Sequence, residues 1–166
     1  MDFEKRDIDK LTGNVFDAVG NGWMLITAEK DGKVNTMTAS WGGFGVLWGK
    51  RVAFVFIRPQ RYTYEFTENS DRMTLSFFDE KYRKALSYLG THSGRDSDKI
   101  AEAGLNTKRV GGEAAFTEAS AVMVCRKLYA DDLKEECFLD EEALLHYEKK
   151  DYHRVYVVEV ESVYTK

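Results

Sequence analysis

Trp23-Met24-Leu25-Ile26-Thr27-Ala28-Glu29, then Lys30-Asp31-Gly32-Lys33, then Val34-Asn35-Thr36-Met37-Thr38-Ala39-Ser40 is the stretch whose reading decides the fold class. Its flanks are rich in apolar and β-branched residues, and the polar step between them reads as a tight hairpin. Outward from it, the same strand character returns at Val52 to Arg58, Met73 to Phe78, Ala121 to Tyr129 and His153 to Tyr164. In the last of these, Val155, Tyr156, Val157 and Val158 are too continuously apolar for a one-sided strand, which predicts cover on both faces. Helical spacing is confined to short pieces. Asp79 to Leu89 carries Tyr82, Ala85, Leu86 and Leu89, Ser97 to Ala103 starts on Ser/Asp and stops at Gly104, and Tyr62 to Glu68 is a third. Many strands with three short helices predict a mainly β antiparallel barrel, not a parallel α/β sheet. Gly42-Gly43-Phe44-Gly45 lacks the spacing of a dinucleotide-binding fingerprint.

The 166 residues, 43% apolar and 13% aromatic with one proline, suit a single domain with a real core, read here as spanning 1–166. A net charge of -4 offers no basic field for a nucleic-acid backbone or an anionic membrane, so neither is an expected partner. No apolar run approaches the roughly 20 residues of a membrane helix, and Met1-Asp2-Phe3-Glu4-Lys5-Arg6 does not read as a secretion signal. A cytoplasmic location is expected. Cys125 and Cys137 match no metal spacing, and structural burial in reduced form is expected for both. Three scattered histidines supply no recognisable metal set, and no Gly-x-Ser-x-Gly nucleophile motif occurs.

Three polar clusters carry the chemistry. Asn35-Thr36-Met37-Thr38-Ala39-Ser40-Trp41 is a strand of small hydroxyl and amide groups running into a glycine turn. Its amides and the hydroxyls of Thr36, Thr38 and Ser40 suit the acceptor rim of a planar heterocycle such as isoalloxazine, with Trp41 beside the ring. An ordinary edge strand would also account for the pattern. Arg58-Pro59-Gln60-Arg61-Tyr62-Thr63 combines two guanidinium forks with a helix start, a set suited to phosphate, although surface ion pairs are the alternative use. Thr91-His92-Ser93-Gly94-Arg95-Asp96-Ser97-Asp98-Lys99 is dense in groups that reach phosphate, ribityl hydroxyls or a ring carbonyl, with Gly94 allowing close backbone approach. Its blander reading is a helix start, with Ser97 as N-cap. His153, opening the last strand, is a candidate neighbour of a flavin or nicotinamide, or a structural histidine.

The order of these clusters resembles the flavin reductase-like family with the FMN-binding split barrel, and its flavoredoxin branch most of all, from about Trp23 to Leu105. The resemblance implies a six-stranded Greek-key split barrel, a homodimer, and FMN near the subunit interface. Asn35, Thr36, Met37, Thr38, Ala39, Ser40 and Trp41 would line the isoalloxazine. Arg58, Arg61, Tyr62 and Thr63 would hold the phosphate, and Ser93, Gly94, Arg95 and Lys99 the remaining polar contacts. The implied activity is hydride transfer from NAD(P)H to FMN and onward to an acceptor; an electron carrier or redox sensor reduced by a partner protein is the alternative. Family members commonly carry Asp-His before the last strand and Gly-Glu within it. Here Tyr152 interrupts Asp151-Tyr152-His153, and Val158 stands before Glu159, departures that bear on nicotinamide more than on flavin.

Overall fold

A computed structural model describes residues 2–166. Ten strands run in chain order: β1 Glu4–Arg6, β2 Met24–Lys30, β3 Lys33–Ala39, β4 Gly42–Leu47, β5 Lys50–Ile57, β6 Arg72–Phe77, β7 Thr107–Val110, β8 Glu113–Phe116, β9 Ala121–Asp132 and β10 Arg154–Thr165. Four α-helices interrupt them: α1 Tyr62–Glu68, α2 Arg83–Thr91, α3 Lys99–Glu102 and α4 Glu141–Leu144. The main sheet pairs in the order β3-β2-β6-β9-β10-β5-β4, with β1 added to β10 and β7–β8 as a separate hairpin. All described pairings are antiparallel.

The six strands expected from the sequence are β2, β3, β5, β6, β9 and β10, but six is not the full count. β4 stood hidden because Gly42-Gly43-Phe44-Gly45 reads as a turn, whereas it pairs residue by residue with β5. β1 and the β7–β8 hairpin are too short to show a period. Asp31 and Gly32 both take positive φ, as a two-residue loop matched to strand twist requires, and Trp48-Gly49 and Gly111-Gly112 close the other two hairpins in the same way.

Side-chain alternation along β2 divides the interior. Met24, Ile26 and Ala28 join Met37, Val55, Ile57, Met73, Leu75, Cys125 and Tyr156 inside the barrel. Leu25 faces outward into a second cluster under α2, α3 and the β7–β8 hairpin, with Leu86, Leu89, Ile100, Val110 and Phe116. The expected helix at 79–89 is a 3₁₀ turn, Glu80–Tyr82, followed by α2, and α2 lays its apolar face on that cluster as its spacing predicts. The helix expected at 97–103 is the single turn α3, whose N-cap is Asp98 and not Ser97: the Asp98 carboxylate accepts from the Ala101 amide at 3.2 Å.

β10 holds the barrel together. Register shifts at Val157/Val158 and Val160/Ser162 bend it, so that one strand pairs with β9 along its length, with β5 over Arg154–Glu159 and with β1 at its end. Tyr156, Val157 and Val158 are all buried, in agreement with cover on both faces, while Val155 is half-buried. Across the outside run Lys50–Glu159, Arg126–Glu159, Arg126–Glu161 and Arg72–Glu161 ion pairs at 2.8, 2.6, 3.1 and 2.9 Å. Cys125 is buried in the core, where desolvation raises its thiol pKa. Cys137, by contrast with the sequence expectation, is exposed in the short turn Glu135–Cys137. No helix among the described residues is long and apolar enough to cross a membrane.

Candidate functional site

The pairing path of the sheet is open, with β3 and β4 at its two ends joined by Ser40 and Trp41. At this split lies a recess of about 140 Å³ lined by Met37, Thr38, Ala39, Ser40, Trp41, Phe56, Arg58, Arg61 and His153. A second recess, about 150 Å³, shares Arg61 and continues along Gln60, Tyr62, Thr63, Gly90 to Ser93, and Lys99. Thus the three polar clusters of the sequence converge on one region, but their members divide into two kinds.

Several are committed to holding the fold. The Thr36 hydroxyl, fully buried, donates to the Ile26 carbonyl at 3.0 Å and lies 2.8 Å from the Thr27 hydroxyl. The Thr38 hydroxyl donates to the Leu86 carbonyl at 2.5 Å, tying β3 to α2. Asn35 donates to the Thr63 hydroxyl at 2.9 Å, anchoring the start of α1. Gly94 packs so closely on Asn35 that a Cβ there would meet its Oδ1. Arg95 pairs with Glu65 at 2.5 Å and lies 4.6 Å from the Tyr62 ring centroid. Arg58 is taken by Asp151 at 2.6 Å and by the His146 carbonyl at 2.9 Å. Ser93 accepts from the Arg95 amide at 3.2 Å. Strand alternation and hydrogen-bond supply explain this division: a buried hydroxyl without a partner is costly, so interior threonines spend themselves on backbone carbonyls.

Others are left with capacity. Among the described residues, the half-buried Arg61 guanidinium makes no ion pair and no side-chain hydrogen bond, and burial lowers its pKa. Lys99, 3% exposed, donates to the carbonyls of Leu89 and His92 at 3.0 and 2.9 Å and makes no ion pair among the described residues. Burial and the Arg61 guanidinium push its ammonium down to about 8. Two partly dehydrated cations thus adjoin without an anion, which is the electrostatic signature of a site that takes one. At the other end Trp41 stays 45% exposed, edge-on to His146 and tilted to His153 at 5.1 and 5.3 Å between centroids. Phe56, missed in the sequence because it reads as a strand residue only, lies in the same wall, 6.3 Å from His153.

His153 is 7% exposed, and its Nδ1 meets the Tyr147 hydroxyl at 2.7 Å. Burial, aided by Arg58 and opposed by Asp151, lowers its pKa to about 4, so it is neutral at pH 7. The unfolded chain binds this proton from about pH 6.5 and the native state only near 4, so stability falls as pH drops through that window. Urea midpoints at pH 7 and 4.5 are expected to show a smaller acid loss for His153→Gln than for the parent protein, by about 1–3 kcal/mol. Equal losses would mean that the ring titrates normally.

Glu159 does not line either recess; Lys50 and Arg126 hold it on the outside of the sheet.

Comparison with known proteins accords with this geometry. The sequence profile of the flavin reductase like domain matches residues 16–166. The chain belongs to the flavin reductase-like family. An uncharacterized protein of Aeropyrum pernix is 35% identical over 103 residues, a stretch covering 60% of this chain and 39% of that longer protein. Among solved structures, the FMN-binding domain of a flavin reductases-like enzyme from Shewanella baltica superposes with a TM-score of 0.73 at 17% identity, over 99% of this chain and 77% of that one. Flavoredoxin from Methanosarcina acetivorans gives 0.68 at 19% identity, over 87% and 68%. At these identities the structural likeness speaks to fold: this flavin reductase-like domain is a mainly β split barrel.

Proposed function

We propose that this flavin reductase-like domain binds FMN and works as an NAD(P)H-dependent flavin oxidoreductase that passes electrons to a further acceptor. The observation that carries the reading is the Arg61 and Lys99 pair, two cations at adjoining recesses with no anion among the described residues to answer them. A phosphate monoester supplies that charge, and an arginine fork matches its oxygens. Arg61 and Lys99 would hold the phosphate, with Ser93 and the α1 start beside it. Met37 to Trp41 and Phe56 would border the ring. When bound, FMN supplies hydride and single-electron transfer; the protein binds and orients it.

No acid or base of the protein is needed in this reading. His153 stays neutral at pH 7 and contributes hydrogen bonding without charge. Each recess is well under the roughly 300 Å³ of an enclosing ligand pocket, so a flavin would lie along an open cleft with one face exposed. A second copy of the chain covering that face accounts for the arrangement and makes a homodimer the expected assembly. The second reading, an electron carrier reduced by a partner protein in the manner of a flavoredoxin, draws on Glu159, which its two basic neighbours keep out of the cleft.

The deciding experiment is a visible spectrum of the purified protein with FMN, before and after anaerobic NADH or NADPH. Flavin bands that bleach with nicotinamide support the reductase reading. Bands that persist until dithionite is added favour the carrier, and no flavin binding at all sinks both.

A further inference from the structure

Tyr147 lies in the segment between β9 and β10, outside every cluster to which the sequence points. It is buried, 7% exposed, and its ring is stacked with Tyr152 at 5.2 Å between centroids. The Arg58 guanidinium lies 5.0 Å from its centroid. Its hydroxyl meets a single side-chain partner among the described residues, Nδ1 of His153 at 2.7 Å. The His153 ring lines the recess at the barrel split, and its other nitrogen, Nε2, has no hydrogen-bond partner among the described residues.

Two proton arrangements fit a Tyr–His contact. If Nδ1 carries the proton, the phenol accepts and its own buried proton is stranded without an acceptor. If the phenol donates, every buried group in the pair is satisfied, and the imidazole proton sits on Nε2. Burial raises the Tyr147 pKa and keeps it a phenol, so it has that proton to give.

We infer that Tyr147 is a positioning residue: its hydroxyl fixes His153 as the Nε2–H tautomer and so presents a neutral N–H donor to the recess beside Trp41 and Phe56. The group this donor meets must offer an acceptor, such as a carbonyl oxygen on a planar ligand. A histidine of the opposite tautomer would present a lone pair there and favour donors. The identity of the acceptor rests on the flavin reading of the site; the tautomer does not.

The test is a long-range ¹⁵N–¹H correlation spectrum of the histidine rings at pH 7, on protein without added ligand, for the parent chain and for Tyr147→Phe. This replacement keeps the ring against Arg58 and Tyr152 and removes only the hydroxyl. The parent His153 is expected at least tenfold in favour of Nε2–H, and Tyr147→Phe is expected to lose that preference by a factor of about ten. Nδ1–H in the parent, or an unchanged ratio in the variant, overturns the inference. If Tyr147→Phe fails to fold, the parent alone decides: a coupling across the hydrogen bond between the Tyr147 hydroxyl proton and His153 Nδ1 supports the inference, and an Nδ1–H ring or the absence of that coupling overturns it. A correct tautomer in a protein that binds no flavin would leave this inference standing while the proposed function fell, and the reverse result would separate them equally well.

Discussion

Replacing Arg61 by alanine is expected to weaken FMN binding on the order of 100-fold, while the stability of the ligand-free protein stays level or rises slightly. The two effects part because of what Arg61 lacks. A half-buried guanidinium with no ion pair and no side-chain hydrogen bond gives the empty fold nothing to lose. Charge-assisted hydrogen bonds to a phosphate are worth about 1.5–3 kcal/mol each, and two lost together exceed the roughly 1.4 kcal/mol of a tenfold change. Lys99 would not separate the effects so cleanly, because its removal also strands the Leu89 and His92 carbonyls that it caps. Fluorescence titration with FMN and with riboflavin, which has no phosphate, reads the result. Riboflavin should bind parent and Arg61→Ala alike. A variant that loses both ligands equally would place Arg61 against the ring, and one that loses neither would remove the phosphate site from this recess.

Gly42→Ala is expected to lower the melting temperature by roughly 5–15 °C, from a cost of about 2–4 kcal/mol in a domain of this size. Gly42 follows Trp41 at the turn from β3 into β4 and has φ +145°, where a side chain is strained. A Cβ there would stand 2.8 Å from the Phe54 carbonyl oxygen, and β5 is locked between β4 and β10 and cannot give way. Gly43 is the internal control. It has open space around its Cα and ordinary φ, so Gly43→Ala should be neutral or mildly stabilising. If the two variants melt together, the close approach at Gly42 is not what fixes the turn, and the placement of Trp41 needs another cause.

How far the sequence could be read follows from which forces leave a local trace. The apolar and β-branched run from Met24 to Ala28 and helical spacing in Tyr82 to Leu89 record burial directly, so the β2–β3 hairpin and the covering helix were legible. β4 was not, since its glycines carry no side chain to alternate. Site residues were legible by chemical type and not by direction. Thr36 and Ser40 look equivalent along the chain, yet one is sealed between strands and the other stands at the strand end beside Trp41. Arg58 and Arg61 look equivalent too, and only the fold brings Asp151 to the first and, among the described residues, no carboxylate to the second. Tyr147 had no signal at all, because its partner lies on another element and the pair has no characteristic spacing.

The three two-residue hairpins also bear on the order of assembly. β2–β3, β4–β5 and β7–β8 close loops of minimal length, so each can form early and alone, whereas β1–β10 and β5–β10 join residues roughly a hundred or more apart in the chain and pay a large loop-closure cost. The recess at the split draws its walls from two of these hairpins, β2–β3 and β4–β5, and from His153 just before β10, so it exists only once the last long-range pairing is made. A ligand bound there is therefore expected to act after the folding barrier. It should slow the unfolding arm of a chevron plot and leave the refolding arm where it was.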